Sequence, residues 1–185
     1  MRPIVILLTL LTIQQASGMV SGFGLVVTKV DSIYGMIKLD LKENRVTIKG
    51  PDNRYHSLVA SQVNRVIIGK GFKQEQYASA VFGADSEIYF FRVLSEGKVS
   101  LYYREGVKFS RFDNTPFPPY YAFIGNALYS LGNKKECLAI FGLEEKNMRD
   151  FMKAKGLDYG DQRDLTMLFN HYNGVEGSQI FAFKD

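Results

Sequence analysis

The sequence has no tryptophan, one cysteine, two histidines and five prolines in 185 residues. Each shortage removes a class of protein. A single thiol, Cys137, forms no internal disulfide, so the fold must stand on its core, and 185 residues are enough to build one. Cys137 is then buried and inert, reactive, or paired with another chain. Two isolated histidines, His56 and His171, give no paired ligand spacing, and the carboxylates follow no EF-hand pattern, so no metal is expected. The absence of tryptophan weakens a sugar-stacking platform. Scarce proline, with no low-complexity tract and no fixed-period repeat, argues against a disordered or solenoid chain. The formal net charge of +4 is mild and its basic residues are scattered, which excludes nucleic acid as the expected partner.

What is present is an ordinary globular composition, 46% apolar and 23% charged, of a length that predicts one structural domain. The opening "MRPIVILLTLLTIQQASGM" places Arg2 before an uncharged run, Ile4 to Ile13, and then the small residues Ala16, Ser17 and Gly18. That layout predicts a cleavable signal peptide over 1–18, with the mature chain starting near Met19. The run is short for a membrane span, and no cysteine follows it to carry a lipid. Loss of Arg2 leaves a mature charge of +3. The mature chain holds no run of spanning length, so a secreted or periplasmic protein without a membrane span is expected.

Residues 19–115 read as a β-rich region. In "SIYGMIKLDLKENRVTIKG" the residues Ile33, Gly35, Ile37, Leu39 and Leu41 alternate onto one face. A turn over Lys42–Arg45, with Asn44 left-handed, sets Leu41 opposite Val46 and Leu39 opposite Ile48. "PDN" at Pro51–Asn53 is a second turn, and "VNRVIIG" and "QYASAVFG" are further strands. "FFRVLSEGKVSLYYREG", Phe90 to Gly106, reads as a hairpin. A three-residue loop Ser95-Glu96-Gly97, with Gly97 left-handed in a bulge, would pair Val93 with Val99, Phe91 with Leu101 and Tyr89 with Tyr103. Three prolines between Pro116 and Pro119 mark a boundary.

Beyond it, 116–185 reads as a helical region packed on the sheet. Asn133 with Glu136 forms a capping box, and that helix should stop at Gly142. A second helix runs from about Glu144 to Lys155 with Met148, Phe151 and Met152 on one stripe, and Gly156 ends it. Asp161 caps a third, whose Leu165, Leu168, Phe169 and Tyr172 share a face until Asn173-Gly174. "SQIFAFKD" reads as a short closing strand. Strands followed by helices predict an α+β fold. The expected architecture is an N-terminal antiparallel sheet, curled toward a barrel, and a C-terminal cluster of short helices.

The chain resembles a set of uncharacterised secreted envelope proteins of Bacteroidetes-type Gram-negative bacteria. The resemblance lies in the leader, "GLVVTKVDSIYGMIKLD", "FFRVLSEGKVSLYYREG", and "ECLAIFG" through "DLTMLFNHYN". It departs at "TPFPPYYAF", where a longer strand-like segment is expected. It implies an envelope location and carries no activity.

Three patterns invite a chemical reading. Cys137, His171 and Asn173 follow the chain order of papain-like hydrolases. Cys137, however, falls inside a helix rather than at a helix N-terminus, and His171 and Asn173 point about 200° apart on theirs. "GKGFK", Gly69 to Lys73, lacks phosphate-loop spacing and reads as a turn ending a strand. Glu96 and Glu105 sit at hairpin ends as turn charges. Aromatic density is the remaining signal, with 14 Phe and 11 Tyr. Tyr102, Tyr120, Tyr121 and Phe123 form the candidate binding surface. The expected function is a non-catalytic envelope module, with an envelope protein or surface glycan as partner and no cofactor. The alternative is a hydrolase of an envelope polymer acting through carboxylates.

Overall fold

The computed structural model describes residues 18–82, 86–104 and 119–175. The leader, the prolines at 116 and 118, Glu105 and the closing strand lie outside the described residues. Among the described residues ten strands are followed by three α-helices. The strands are β1 (Met19–Thr28), β2 (Ser32–Asp40), β3 (Arg45–Lys49), β4 (Tyr55–Val59), β5 (Val63–Ile68), β6 (Glu75–Phe82), β7 (Glu87–Ser95), β8 (Ser100–Tyr103), β9 (Tyr120–Ile124) and β10 (Ala127–Ser130). The helices are α1 (Lys134–Ala139), α2 (Glu145–Lys155) and α3 (Gln162–Tyr172). The fold is therefore α+β. All the strands belong to one sheet, ordered β10-β9-β8-β7-β6-β5-β1-β2-β3-β4, with antiparallel pairings.

The expected curl toward a barrel is not what forms. The sheet is open, with β4 and β10 as its edges. A barrel needs those edges to hydrogen-bond to each other, and among the described residues β4 pairs only with β3 and β10 only with β9. The sheet also runs past residue 115. β9 and β10 form a hairpin whose two-residue turn, Gly125-Asn126, has φ of +53° and +73°, the left-handed pair such a turn requires.

Register was the harder property to read. β2 and β3 join through a four-residue turn over 41–44, Leu39 faces Val46, and Ile37 faces Ile48. The pairing is shifted by two residues from the expected one, and because strand faces repeat every two residues, the buried set is unchanged. Asn44 is left-handed as expected, at φ +53°. In the β7–β8 hairpin Arg92 faces Tyr103, Val93 faces Tyr102, and a bulge lies between Val93 and Ser95. Gly97 keeps a negative φ in a loop over 96–99. Both faces of this hairpin are buried, so apolar burial does not select one register.

Strand β7 explains that double burial. Phe90 joins a core with Val26, Ile37, Ile48 and Val66; Phe91 and Val93 join a second with Tyr102 and Tyr121; Leu94 joins a third beneath the helices. Phe90 and Phe91 are each 0% exposed, and burying a Phe side chain stabilises by about 1.5–3 kcal/mol.

The helices follow their local signals, except that α1 ends at Ala139, short of the expected stop at Gly142, which opens a separate tight turn at φ +57°. Asn133 accepts from the Glu136 backbone N–H at 3.0 Å, and Glu136 returns bonds to Asn133 and to the Gly132 N–H. Asp161 caps α3 through the Asp164 N–H at 3.0 Å. Gly156 ends α2 at φ +66°. Short helices are marginal alone, and these are held by Met148, Met152, Leu165, Leu168 and Phe169, all buried in the third core.

Candidate functional site

The four aromatic residues singled out by sequence lie mostly inside the protein. Tyr102, Tyr120 and Tyr121 are buried, and Phe123 is half-buried. Tyr102 stacks on Phe123 with centroids 5.2 Å apart, while Tyr121 meets Phe91 and Phe82 edge to face at 5.2 and 5.1 Å. Burial raises the pKa of both the Tyr102 and Tyr121 phenols and so disfavours their ionisation. The β8–β9 pairing sets Tyr102 opposite Tyr121 in the second core while Tyr120 lies in the third, so these three rings are interior and offer no open platform.

The thiol reading fares similarly. Cys137 is fully buried, and burial pushes its thiol up to about 12, away from the thiolate a nucleophile requires. The exposed ring of His171 stacks flat on Phe151 at 3.7 Å. The Asn173 amide is committed elsewhere, accepting from the Val99 N–H at 3.2 Å and donating to the Val99 carbonyl at 2.9 Å. With Asn170 accepting from the Ser95 hydroxyl at 2.7 Å, it fastens α3 to the β7–β8 loop. "GKGFK" is the turn between β5 and β6, with Gly69 and Gly71 at φ +97° and +57°.

A depression of about 550 Å³ lies at the start of α3, lined by Asp158, Asp161, Gln162, Arg163 and Asp164. Its carboxylates are occupied by local backbone. Asp158 accepts from Gly160, Asp161 from Asp164, and Asp164 from Asp158. Among the described residues no three His, Cys, Asp or Glu side chains are grouped to hold a metal. On the sheet, Glu96 pairs with Arg65 and Glu75 with Arg92, the latter at 3.2 Å.

Arg104 is buried beside the second core. It donates to the carbonyls of Phe90 and Leu41, and its guanidinium lies 4.9 Å from the centroid of Tyr89. Desolvation lowers its pKa to about 10. Asn44 works on the same stretch, accepting from the Phe90 N–H at 3.0 Å and donating to the Ile88 carbonyl at 2.5 Å. Both side chains use up β7 backbone groups that lie beyond its pairing with β8, so this cluster is structural.

The surface left over is the outer face of β1–β4. Register aligns Phe23, Met36, Lys49 and Tyr55 in one row across the four strands. Phe23, Met36 and Tyr55 are 40%, 55% and 71% exposed, and Tyr34 and Met19 on the same face are 51% and 46% exposed. Phe23 and Tyr34 meet edge to face at 4.7 Å. Lysine ammoniums lie close to two of its rings, Lys70 at 5.7 Å from the Phe23 centroid and Lys49, within the row, at 5.6 Å from that of Tyr55. The single carboxylate in these four strands, Asp40, accepts from the Lys42 and Glu43 N–H groups of the turn. Residues 18–74 carry nine Lys and Arg against four Asp and Glu, whereas 75–185 carry thirteen against fifteen. The positive charge is concentrated where the apolar row lies.

Sequence reasoning missed this row, although its signal was available. If Ile33, Ile37 and Leu39 face the core, then Tyr34, Met36 and Lys38 must face out, and two large apolar side chains at solvent positions are unusual. A scan against protein-family models matched none, and neither the curated proteins nor the solved structures compared with the chain matched it.

Proposed function

We propose that this chain is a non-catalytic binding module of the cell envelope, secreted or periplasmic, that holds an anionic envelope component on the outer face of β1–β4. The observation that carries the reading is the row of Phe23, Met36, Lys49 and Tyr55, with Lys70 beside it and Asp40 turned to its own loop. Large apolar side chains gathered on a solvent face mark an interaction surface. Lysines without facing carboxylates set the sign of what they meet. The apolar run Ile4 to Ile13 and the small residues after it support export, as does the resemblance to Bacteroidetes-type envelope proteins. The hydrolase alternative has less behind it, because Glu75 and Glu96 are paired with arginines.

The test is capture of envelope material from detergent-solubilised host cells by the native protein and by an F23S/M36S/Y55S variant. The expected result is anionic material retained by the native protein and lost by the folded variant. Equal retention by both overturns the assignment of this face. N-terminal sequencing of the exported protein checks the leader, and an intact Met1 overturns its cleavage.

A further inference from the structure

Resting on that reading, we infer that the anionic component is the headgroup layer of a lipid membrane, and that the protein sits on it peripherally through β1–β4. Three features of the face point to lipid. The first is its side-chain mixture. Phe23, Tyr34, Met36 and Tyr55 stand out from the strands with 40% to 71% of their surface open. Aromatic rings with one polar end favour the boundary between water and acyl chain, and methionine adapts to an irregular apolar medium.

The second feature is where the cations stand. Lys49 lies inside the row, opposite both Met36 and Tyr55, and Lys70 lies over Phe23. Lys38 is on the same face one row along, opposite Ser21 and Thr47. Long lysine stems cover apolar neighbours while the ammonium reaches outward, the posture of a lysine at a headgroup layer. An acidic partner protein is also matched by positive charge. The exposed Met36 and the interfacial mixture of Tyr34 and Tyr55 beside those cations favour the headgroup layer over such a protein.

The third feature is the charge division between the two parts of the chain. Residues 18–74 have a net charge of +5 and residues 75–185 a net charge of −2. Among the described residues of the second part ten Lys and Arg balance ten Asp and Glu, so an anionic surface attracts the first part alone, which orients the molecule with β1–β4 down. Attachment by a single face of this kind is reversible.

The test is vesicle co-sedimentation of the protein purified from the fraction in which its cells accumulate it, so that leader processing has taken place. Vesicles of phosphatidylcholine alone are compared with vesicles containing one-third phosphatidylglycerol, at two salt concentrations. We expect sedimentation with the anionic vesicles, weakening as salt rises. A K38Q/K49Q/K70Q variant changes head groups on exposed Lys38 and Lys70 and half-buried Lys49; at about fivefold per cation it should bind about 150-fold more weakly at most, and about fivefold at least. The F23S/M36S/Y55S variant should also lose binding while keeping the native circular dichroism. Failure of the native protein to sediment with anionic vesicles overturns the inference, as does equal sedimentation with phosphatidylcholine vesicles. Unchanged binding of the lysine variant overturns it as well. If the envelope capture above still depends on the same face, the binding-module reading stands and the occupant is an acidic protein or glycan.

Discussion

Asn44 fastens the β2–β3 turn to β7 with one side chain, and its removal has a calculable cost. Its amide accepts from the Phe90 N–H and donates to the Ile88 carbonyl, and its backbone holds φ at +53°. Replacing it with glycine keeps the backbone relaxed and deletes both bonds. Two partly buried backbone groups then lose their partners, at about 1–1.5 kcal/mol each, for a total near 2–3 kcal/mol. Replacing it with alanine deletes the same bonds and adds a left-handed β-carbon, worth about 1 kcal/mol more. The assay is urea unfolding followed by circular dichroism, with the midpoint and slope compared for native, N44G and N44A. The expected order of stability is native, then N44G, then N44A. An N44A variant within about 0.5 kcal/mol of native would refute the reasoning, since surface substitutions without a role fall in that range. Equal losses in N44A and N44G would refute the backbone part alone.

Two further predictions rest on packing and ionisation. A β-carbon added at Gly97 would lie 2.3 Å from Asn173 Cγ, so G97A should cost about 1–3 kcal/mol. N173A should relieve part of that cost, and a double-mutant cycle in urea that is simply additive would sink the contact. Alkaline pH should unfold the protein from about pH 9 upward. Cys137 is raised to about 12 by burial, and Tyr159 likewise to about 12, while Tyr77, Tyr102 and Tyr121 are also raised, each mainly by desolvation. The unfolded chain sheds these protons first, so the stability they confer is present below their ordinary values and lost as pH rises through the folded ones. Arg104 acts in the opposite sense above about pH 10, because the folded state releases its proton first, but it is one group against five. Stability profiles of native and C137A should separate between pH 9 and 12, and coincident profiles would refute the thiol's part.

The helices were legible in the sequence because their signals are local. Asn133, Asp161 and Gly156 each act within one turn of chain, and each sits in the role its residue type suggests. Strand faces were legible too, as Ile37, Leu39, Val46 and Ile48 show by sharing one core. Pairing partners were not, because alternation repeats every two residues and leaves a two-residue slip undecided. The β7–β8 hairpin was harder still, since Asn170 and Asn173, far along the chain, hold its loop. The insertion of β1 between β2 and β5 is a nonlocal choice that no local pattern announces. The hairpin of β9 and β10 had a signal, Gly125-Asn126, that the nearby prolines and the helical stretch beyond obscured. As for the site, ring density drew attention to Tyr102, Tyr120 and Tyr121, where the rings are interior. Density measures how much a segment has to bury, and exposure depends on which face the rest of the sheet leaves uncovered.

The position of β7 has a consequence for how the molecule comes apart. Neighbouring residues on this strand, Phe90 and Phe91, belong to different interiors, and Leu94 belongs to the remaining one. Pulling β7 out opens all of them at once. Among the described residues β7 therefore ties the cores together, and they are expected to melt in one step, which coincident unfolding curves from different probes would check. A fragment ending before Glu87 would keep most of the first interior yet lack Phe90, the ring that closes it. Cooperativity here comes from one shared strand, which does the work that a single continuous core does in other proteins of this size.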